Sequence, residues 1–253
     1  MLKMSVVTVC YQAEKSIEKT IQSVIQQDYP EKEYWIIDGG STDKTIDIIS
    51  EYAKKYSCIK WISEPDKGIY NAMNKAVQYV TGEYVYYLNC GDLFSSDSVL
   101  TMVAQKAECH PADIIYGDII VQYTDSKKRA YYVKWKRMNS FLIALGITIC
   151  HQAVFTRRDL LHKKGFDEEF ELWADQEFFM YWMKKQCSIG TINICVCDYD
   201  AYGVSASGDS LERVFIESDR ITKKYTPVVY YLTLLPKALL RVYRRAQRRK
   251  NGN

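Results

Sequence analysis

Three acidic residues follow apolar segments of the chain, each at the point where a strand would end. Asp38 closes one of these segments, Asp66 follows the next and Asp92 follows a third. Because the carboxyl ends of parallel strands meet at one edge of a sheet, where open α/β sheets bind ligands, we expect these carboxylates to lie close together. One such acid alone is typical of a helix cap or a turn, whereas three at matched positions indicate a binding site.

What these acids can bind is limited by the loops around them. A carboxylate accepts hydrogen bonds from a nucleobase or a ribose, whereas phosphates need backbone N–H groups or cations. Residues 8–14, the first strand-to-helix connection, contain no glycine, which argues against NAD or FAD binding, and the chain has no Walker loop. Converging acids without a phosphate loop fit a divalent cation that bridges a diphosphate, and Lys67 adds a point charge for that diphosphate or meets the base.

Apolar periodicity places the acids on an alternating α/β framework. Strands and helices alternate through the first part of the chain, which predicts a parallel sheet with helices on both faces and right-handed crossovers. The predicted strands are 5–9, 34–38, 59–63 and 84–88, and the predicted helices are 15–25, 43–56 and 69–80.

After Asp92 the pattern becomes mixed, so we expect a mixed sheet. No internal repeat and no linker rich in Pro, Gly or Ser divides the body, which predicts one domain over residues 1–222 and an appended segment over 223–253. The predicted elements are a strand over 113–123 paired with 129–136 through a turn at 125–127, a strand over 148–155, a helix over 172–185 and a strand-rich stretch over 188–198.

Five segments together resemble a known family. The chain is similar to the inverting glycosyltransferases of family 2, which have the GT-A nucleotide-sugar fold, and the resemblance covers roughly residues 3–205. Residues 66–75, followed by 88–92, are similar to a branch of the family common in bacterial surface-polysaccharide assembly. The matching segments, in the family's order and spacing, are 5–11, 38–43, 64–74, 82–92 and 173–177.

The resemblance implies a role for each matching residue. Asp175 corresponds to the catalytic base, with Glu177 as its rival, and helix capping is the alternative for both. His151 is either a core residue of a strand or a contact to substrate or metal. The implied nucleotide contacts are Thr8, Tyr11, Asp38, Asp66, Lys67 and Asn74, and the implied donor-sugar contacts are Asn89, Gly91, His151 and Glu177.

The metal motif departs from the family pattern. Asp92 matches the last acid of the Asp-x-Asp motif, but Asn89 stands at the earlier acidic position. An amide weakens the hold on a metal, although it can still bind a sugar hydroxyl or a ribose. The resemblance therefore implies a divalent cation, Mn²⁺ or Mg²⁺, held at Asp92.

The implied reaction is a single displacement. One carboxylate takes a proton from the acceptor hydroxyl as that oxygen attacks the anomeric carbon, so an α-linked donor yields a β-glycoside. The expected activity moves a hexose or N-acetylhexosamine from a nucleotide sugar, usually UDP-linked, to a lipid-linked or oligosaccharide acceptor in polysaccharide, lipopolysaccharide or O-antigen biosynthesis. The alternative is a catalytically silent nucleotide-sugar-binding or scaffold protein, which Asn89 favours and Asp175 disfavours. A nucleotidyltransferase is disfavoured because no Gly-rich phosphate loop opens the sheet.

Charge is distributed unevenly along the chain. Residues 221–253 carry nine Lys or Arg and no acid, whereas residues 1–220 carry 25 basic and 31 acidic groups. Apolar and aromatic residues from 230 onward alternate with the basic ones, which predicts an amphipathic helix against an anionic membrane surface. A last helix packed on the body is the alternative, and nucleic-acid binding is not expected because no recognised binding fold accompanies the charge.

Compartment is indicated by cysteine usage and hydropathy. The eight cysteines are scattered without a Cys-x-x-Cys pair, which is typical of reduced thiols in a cytosolic protein and excludes a paired zinc site. No leader sequence and no apolar window of about 18 residues is found. We therefore expect a cytoplasmic protein that is peripheral on the inner face of the plasma membrane.

Overall fold

In the computed structural model the chain is described over residues 1–122, 131–133, 149–200, 210–232, 234 and 238. Its first part alternates strands and helices, as the periodicity predicts. The elements are β1 (Met4–Cys10), α1 (Ile17–Ile25), β2 (Lys32–Asp38), α2 (Thr45–Lys55), β3 (Ile59–Ser63), α3 (Ile69–Val77) and β4 (Tyr84–Tyr87).

The second part is mixed, and it contains two elements that the sequence did not indicate. These are the short strand β5, which follows Asp92 directly, and the helix α4, which comes after β5. The elements are β5 (Leu93–Phe94), α4 (Val99–Cys109), β6 (Ile114–Gln122), β7 (Tyr131–Val133), a 3₁₀ turn (His151–Ala153), β8 (Val154–Arg157), α5 (Arg158–Lys163), α6 (Ala174–Lys184), β9 (Ile189–Asp200) and α7 (Ser210–Tyr225).

One mixed sheet joins these strands. Its order is β3-β2-β1-β4-β8-β6-β9-β5, with β7 paired to β6. Strands β1 to β4 are parallel to one another, whereas β8 runs antiparallel to β4 and β6. The strand order reverses direction at β1, from which β2 and β4 extend on opposite sides, and a crevice at such a switch point is where doubly wound sheets bind ligands.

Both faces of the sheet are covered at its centre. All seven residues of β1 are buried, which a parallel strand requires when helices pack on both sides. The largest fully buried side chains are aromatic and come from several elements, and they include Tyr34, Tyr86, Tyr116, Phe155 and Phe178. Tyr86 also packs its ring 4.4 Å from that of Phe155, which joins β4 to β8 in the core.

Two predictions for this half of the chain have different outcomes. The strand predicted over 148–155 is wrong for its first part, because His151–Ala153 form a 3₁₀ turn and the strand begins only at Val154. The pairing of 113–123 with 129–136 is confirmed where it is described, since Tyr131–Val133 pair antiparallel with residues 119–121. The turn predicted at 125–127 lies outside the described residues.

The C-terminal region continues from the body as a helix. Helix α7 runs across position 222, at which the sequence analysis divided the chain, and residues 227–232 are helical as well. Most of the predicted amphipathic segment lies outside the described residues. Among the helices of the described ranges, none is long and apolar enough to cross a bilayer.

Candidate active site

Asp38 is the buried acid at the end of β2. Its side chain is completely buried, and Oδ2 accepts hydrogen bonds from the backbone N–H of Gly40 (3.0 Å) and Ser41 (2.8 Å) and from Ser63 Oγ (2.7 Å). Ser41 Oγ donates to Oδ1. These donors fix the orientation of the carboxylate and the turn that follows β2. The contact of Asp38 with a nucleobase stays a prediction.

Tyr11 and Asp66 flank the first glycine of that turn. A Cβ atom at Gly39 would lie 2.6 Å from Asp66 Oδ2 and 3.4 Å from the ring of Tyr11, so only glycine leaves both side chains in place. The Tyr11 side chain is 63% exposed, and Lys67 is exposed as well. An open aromatic face beside a carboxylate can stack on a base and accept its N–H groups.

Two other residues predicted to contact the nucleotide, Thr8 and Asn74, form hydrogen bonds within the protein. Thr8 is fully buried, and its hydroxyl donates to the Leu88 carbonyl (2.8 Å) while accepting from Tyr34 Oη (2.8 Å). Asn74 pairs with both backbone groups of Phe166, at 2.8 and 2.9 Å, and so ties helix α3 to the segment before α6. These contacts give both residues structural roles.

The turn after β4 carries the predicted metal motif. The backbone N–H of Asp92 donates to the Asn89 carbonyl (3.0 Å), and Gly91 has φ +104°, a conformation that favours glycine. Asp92 is 3% exposed, and its carboxylate accepts from Asp200 N (2.9 Å) and Gln152 Nε2 (3.1 Å). Burial raises the pKa of Asp92 to about 7, although both hydrogen bonds oppose that shift.

Asp92 is the predicted protein ligand of a cation here, and the charge of Asp200 lies close enough to act on it. Within the described ranges, no group of three or more His, Cys, Asp or Glu side chains is arranged to hold a metal ion. Mg²⁺ and similar hard cations are commonly bound by one or two carboxylates together with substrate phosphates. The donor set therefore fits a cation held by Asp92 whose other ligands come from a diphosphate.

Asp175 lies in the first turn of α6 and is 6% exposed. Its Oδ1 accepts from Gln176 N (2.8 Å) and Tyr70 Oη (3.1 Å), and its Oδ2 accepts from Gln176 Nε2 (3.1 Å). Burial, followed by the nearby Asp175 charge, raises the pKa of Tyr70 well above its ordinary value. Tyr70 therefore remains a protonated donor to the carboxylate.

The 3₁₀ turn joins the two acidic centres. His151 Nδ1 lies 3.3 Å from Asp175 Oδ2, and His151 Nε2 lies 2.9 Å from Asn89 Nδ2. The next residue, Gln152, binds Asp92 as described above. The turn is anchored by Tyr86 Oη, which donates to the Gln152 carbonyl at 2.6 Å. The structure thus brings four predicted site residues together, namely Asn89, Asp92, His151 and Asp175.

Glu177 has a different environment. Its side chain is fully buried, and Lys164 (2.7 Å), Lys224 (2.9 Å) and Tyr225 Oη contact its carboxylate. Burial alone would raise the pKa of Glu177, but the hydrogen bonds from these three side chains outweigh burial and lower it. The predicted donor-sugar contact gains no support from this position, where Glu177 ties α6 to α7.

Helix α7 also supports the segment that leads into Asp175. The carboxylate of Glu217 accepts from the backbone N–H groups of Glu171 (2.9 Å), Leu172 (3.1 Å) and Trp173 (2.9 Å). Sequence reasoning did not identify Tyr70, Gln152 or Glu217. A polar residue beside His151 in an otherwise apolar run was a signal for Gln152, whereas nothing local in the sequence indicates Glu217.

The fold and the site define a class of sugar-transferring protein. A sequence model of "Glycosyl transferase family 2" matches residues 5–166, which is more than half of the chain. The chain therefore belongs to glycosyl transferase family 2 and is a transferase.

Individual proteins agree with this membership. A "PGL/p-HBAD biosynthesis glycosyltransferase" of Mycobacterium bovis is 28% identical over 187 residues, which are 72% of this chain and 71% of the relative. Among solved structures, TarS 1-349 of S. aureus in complex with UDP-GlcNAc is 20% identical, with a TM-score of 0.66. The match covers 88% of this chain and 71% of the TarS 1-349 chain. This chain spans 43% of the full TarS chain.

A second solved structure shares the same fold. The mannosyltransferase PcManGT from Pyrobaculum calidifontis, in complex with GDP-Man and Mn²⁺, is 18% identical with a TM-score of 0.68, covering 92% of this chain and 70% of its own. At this level of identity the similarity establishes the fold alone. The chain has the GT-A fold with a mixed central sheet, as the resemblance implied.

Proposed function

We propose that this glycosyltransferase moves a hexose or an N-acetylhexosamine from a UDP-linked donor to a glycan acceptor, with inversion at the anomeric carbon and Asp175 as the base. One observation carries the proposal. A buried carboxylate at the start of α6 is linked through His151 to the turn that bears Asn89 and Asp92. A base for the acceptor therefore stands beside the motif expected at the donor.

The donor would lie across the carboxyl edge of β1, β2 and β4. Tyr11 and Asp66 offer an aromatic face and a carboxylate to the base, Asp38 supports the turn between them, and exposed Lys67 meets the diphosphate. The complexes of TarS with UDP-GlcNAc and of PcManGT with GDP-Man support a nucleotide sugar as donor. UDP is our choice because the family resemblance favours it.

Asn89 would contact the donor sugar. Its Oδ1 is buried and has no hydrogen-bond partner among the described residues, while its Nδ2 faces His151. A buried acceptor without a partner is costly, so a sugar hydroxyl that donates to Oδ1 would be bound favourably. On the same turn, a Cβ atom at Gly91 would lie 3.7 Å from Asp200 Oδ2.

Asp92 would hold a divalent cation, Mn²⁺ or Mg²⁺, together with the oxygens of the diphosphate. When bound, such a cation supplies positive charge that stabilises the departing diphosphate. The Mn²⁺ in the PcManGT complex supports a metal in this fold.

Asp175 performs the proton transfer in the proposed reaction. It accepts the proton of the acceptor hydroxyl as that oxygen forms its bond to the anomeric carbon. The bond from this carbon to the diphosphate oxygen breaks, and its electron pair stays on the diphosphate. An α-linked donor thereby gives a β-glycoside.

The proposal is tested by incubating the protein with a panel of alkyl glycosides as acceptors and with UDP-glucose, UDP-galactose, UDP-GlcNAc or UDP-GalNAc as donor, with and without Mn²⁺, and following UDP release. NMR of the glycoside product then reports the anomeric configuration. UDP release with a β-linked product supports the proposal. Tight UDP binding without release from any donor supports the catalytically silent alternative, and an α-linked product from an α-linked donor contradicts inversion.

We further propose that the C-terminal segment places the enzyme at an anionic membrane, on the cytoplasmic side, beside a lipid-linked acceptor. Four apolar residues of its described part are exposed, namely Val228 (72%), Tyr231 (62%), Leu232 (72%) and Leu234 (42%). In the sequence, basic residues follow from position 237 onward. Apolar side chains beside basic ones suit the interface of anionic lipid.

Vesicle co-sedimentation tests this placement. Replacing Tyr231 and Leu232 by Ser should reduce binding to vesicles that contain anionic lipid. Ile216→Ser is the matched control, because Ile216 is 56% exposed but lies in α7. Equal binding of all three proteins would contradict the membrane proposal while leaving the transfer reaction untouched.

A further inference from the structure

We infer that Asn89 holds His151 in the tautomer that carries its proton on Nδ1, and that His151 in this state positions the carboxylate of Asp175. The inference rests on the proposed function only in taking Asp175 as the base. It assigns His151 a positioning role and gives a purpose to the amide that replaces an acid at position 89.

The geometry sets the direction of each hydrogen bond. Asn89 Nδ2 lies 2.9 Å from His151 Nε2, and an amide nitrogen can only donate, so Nε2 must present its lone pair. Nδ1, the other ring nitrogen, then carries the proton of the neutral imidazole. It lies 3.3 Å from Asp175 Oδ2, which can only accept when the carboxyl is ionised. With the amide nitrogen of Asn89 facing the ring, the chain of bonds from Asn89 to Asp175 therefore fits the form of His151 that carries its proton on Nδ1.

An acid at position 89 would reverse this arrangement. A carboxylate there would accept a proton from Nε2, so that Nδ1 either loses its proton or the ring becomes an imidazolium between two acids. In the first case the base loses a donor, and in the second it faces a full positive charge that opposes proton uptake. The amide of Asn89 avoids both states.

The remaining partners of Asp175 set the size of the expected effect. Tyr70 and Gln176 also donate to the carboxylate, so removing His151 would misalign the base without leaving it bare. Asn89 meanwhile keeps Oδ1 buried and without a partner among the described residues. A donor-sugar hydroxyl bound there would touch the same amide that orients His151, which connects donor binding to the position of the base.

The backbone of the 3₁₀ turn keeps the imidazole in place. The side chain of Gln152 donates a hydrogen bond to Asp92, and its carbonyl accepts one from Tyr86. Gln176 Nε2 donates to the Ile149 carbonyl at 2.8 Å, which joins the start of α6 to the same turn. His151 therefore lies between two anchored elements.

The tautomer can be observed directly by ¹⁵N NMR of the histidine side chains in the unliganded protein. The chain has three histidines, and His151→Gln identifies the signals of His151. At neutral pH we expect a neutral ring protonated at Nδ1 in the wild type. A ring protonated at Nε2, or an imidazolium, would overturn the inference. Because this measurement needs no turnover, its outcome is independent of whether the proposed reaction is correct.

Kinetics supply the second readout. Asn89→Asp should shift the His151 signals away from the Nδ1–H form and lower kcat by about 10- to 100-fold, whereas the affinity for UDP, measured without a divalent cation, changes by less than about threefold. An unchanged tautomer in this variant, or an unchanged kcat, contradicts the inference. His162→Gln is the control, because His162 is exposed on α5.

A conservative variant separates positioning from packing. In His151→Asn the side-chain amide can donate to Asp175 from nearly the position of Nδ1, whereas His151→Ala provides no donor. We expect His151→Asn to keep at least about tenfold more kcat than His151→Ala at similar UDP affinity. Equal kcat values in the two variants would indicate that His151 only fills space.

Discussion

The hydroxyl of Tyr70 lies 3.1 Å from Oδ1 of Asp175, across 105 positions of sequence. It lies 2.9 Å from the Leu172 carbonyl as well, so helix α3 contacts the segment that leads into Asp175. Asn74 of the same helix holds Phe166. Helix α3 thus holds the segment that leads into α6, together with Asp175.

Tyr70→Phe tests this organisation. Loss of the hydroxyl removes a donor from a buried carboxylate, and we expect kcat to fall about tenfold with UDP affinity unchanged. Tyr87→Phe is the matched control, because Tyr87 is also buried and its hydroxyl donates to the Met73 carbonyl at 3.1 Å. Both variants should lose about 1 kcal/mol of unfolding free energy, but kcat should fall only in Tyr70→Phe. Equal kcat values in the two would contradict the role of Tyr70.

Glu217→Gln tests the support that α7 gives to Asp175. The carboxylate accepts from three consecutive backbone N–H groups, and an amide leaves at least one of them without a good acceptor. We expect a loss of about 1 to 3 kcal/mol in urea unfolding and a lower kcat at similar UDP affinity.

Arg213→Gln is the control for this variant. Arg213 lies on α7 like Glu217, and the variant removes its exposed ion pair with Glu171. Such exposed pairs contribute about 0 to 1 kcal/mol. If both variants behave alike, the helix acts through general packing and not through the Glu217 contacts.

Gly39→Ala tests the proposed base pocket. The new Cβ would displace the Asp66 carboxylate from its place beside Tyr11, and we expect UDP to bind about tenfold more weakly by isothermal titration calorimetry. Asp66→Ala should weaken binding to a similar degree. In the double variant the two effects should not add, because both act through one side chain. Additive losses would place the effect of Gly39 elsewhere.

Glu33 gives the fold a pH dependence of its own. This acid is 4% exposed, and its burial would raise its pKa, but hydrogen bonds from Ser5, Thr81 and Lys3 outweigh burial and lower the pKa to about 2. A depressed folded-state pKa contributes stability above the ordinary value of 4.5, and this contribution is lost as the pH falls from there toward 2.

Urea unfolding measures this contribution. At pH 7 Glu33→Gln should cost about 2 to 3 kcal/mol, and the difference from wild type should shrink between pH 4.5 and pH 2. Glu51→Gln, in an exposed i,i+4 pair with Lys55, should show little change at either pH. A difference that stays constant with pH would contradict the electrostatic origin.

The regular part of the fold follows from the sequence because its signals are local. Strands β1 and β4 are buried along their whole length, and the helices between the strands bury one face at helical spacing. Asp38, Asp66 and Asp92 come after strands β2, β3 and β4 as predicted, since parallel strands end at a shared edge.

The details of the site depend on tertiary contacts that no local pattern reports. An apolar run around His151 favours a strand, but residues 151–153 form a turn from which His151 contacts Asn89 and Asp175 and Gln152 contacts Asp92. Glu177 lies two positions from Asp175, yet the side chain of Glu177 contacts Lys224 of α7, whereas that of Asp175 contacts His151. Thr8 was predicted to contact the nucleotide because it lies in a segment that matches the family, whereas its hydroxyl donates to the Leu88 carbonyl in the core.

The central claim is that Asp175 is the base, and Asp175→Asn tests it most directly. The amide keeps the shape of the side chain but cannot take up the acceptor proton. With the donor and acceptor that support turnover in the wild type, UDP release should fall about a thousandfold while the affinity for UDP, measured by calorimetry, stays within about threefold. Retention of UDP release within about tenfold of wild type by Asp175→Asn would contradict this assignment.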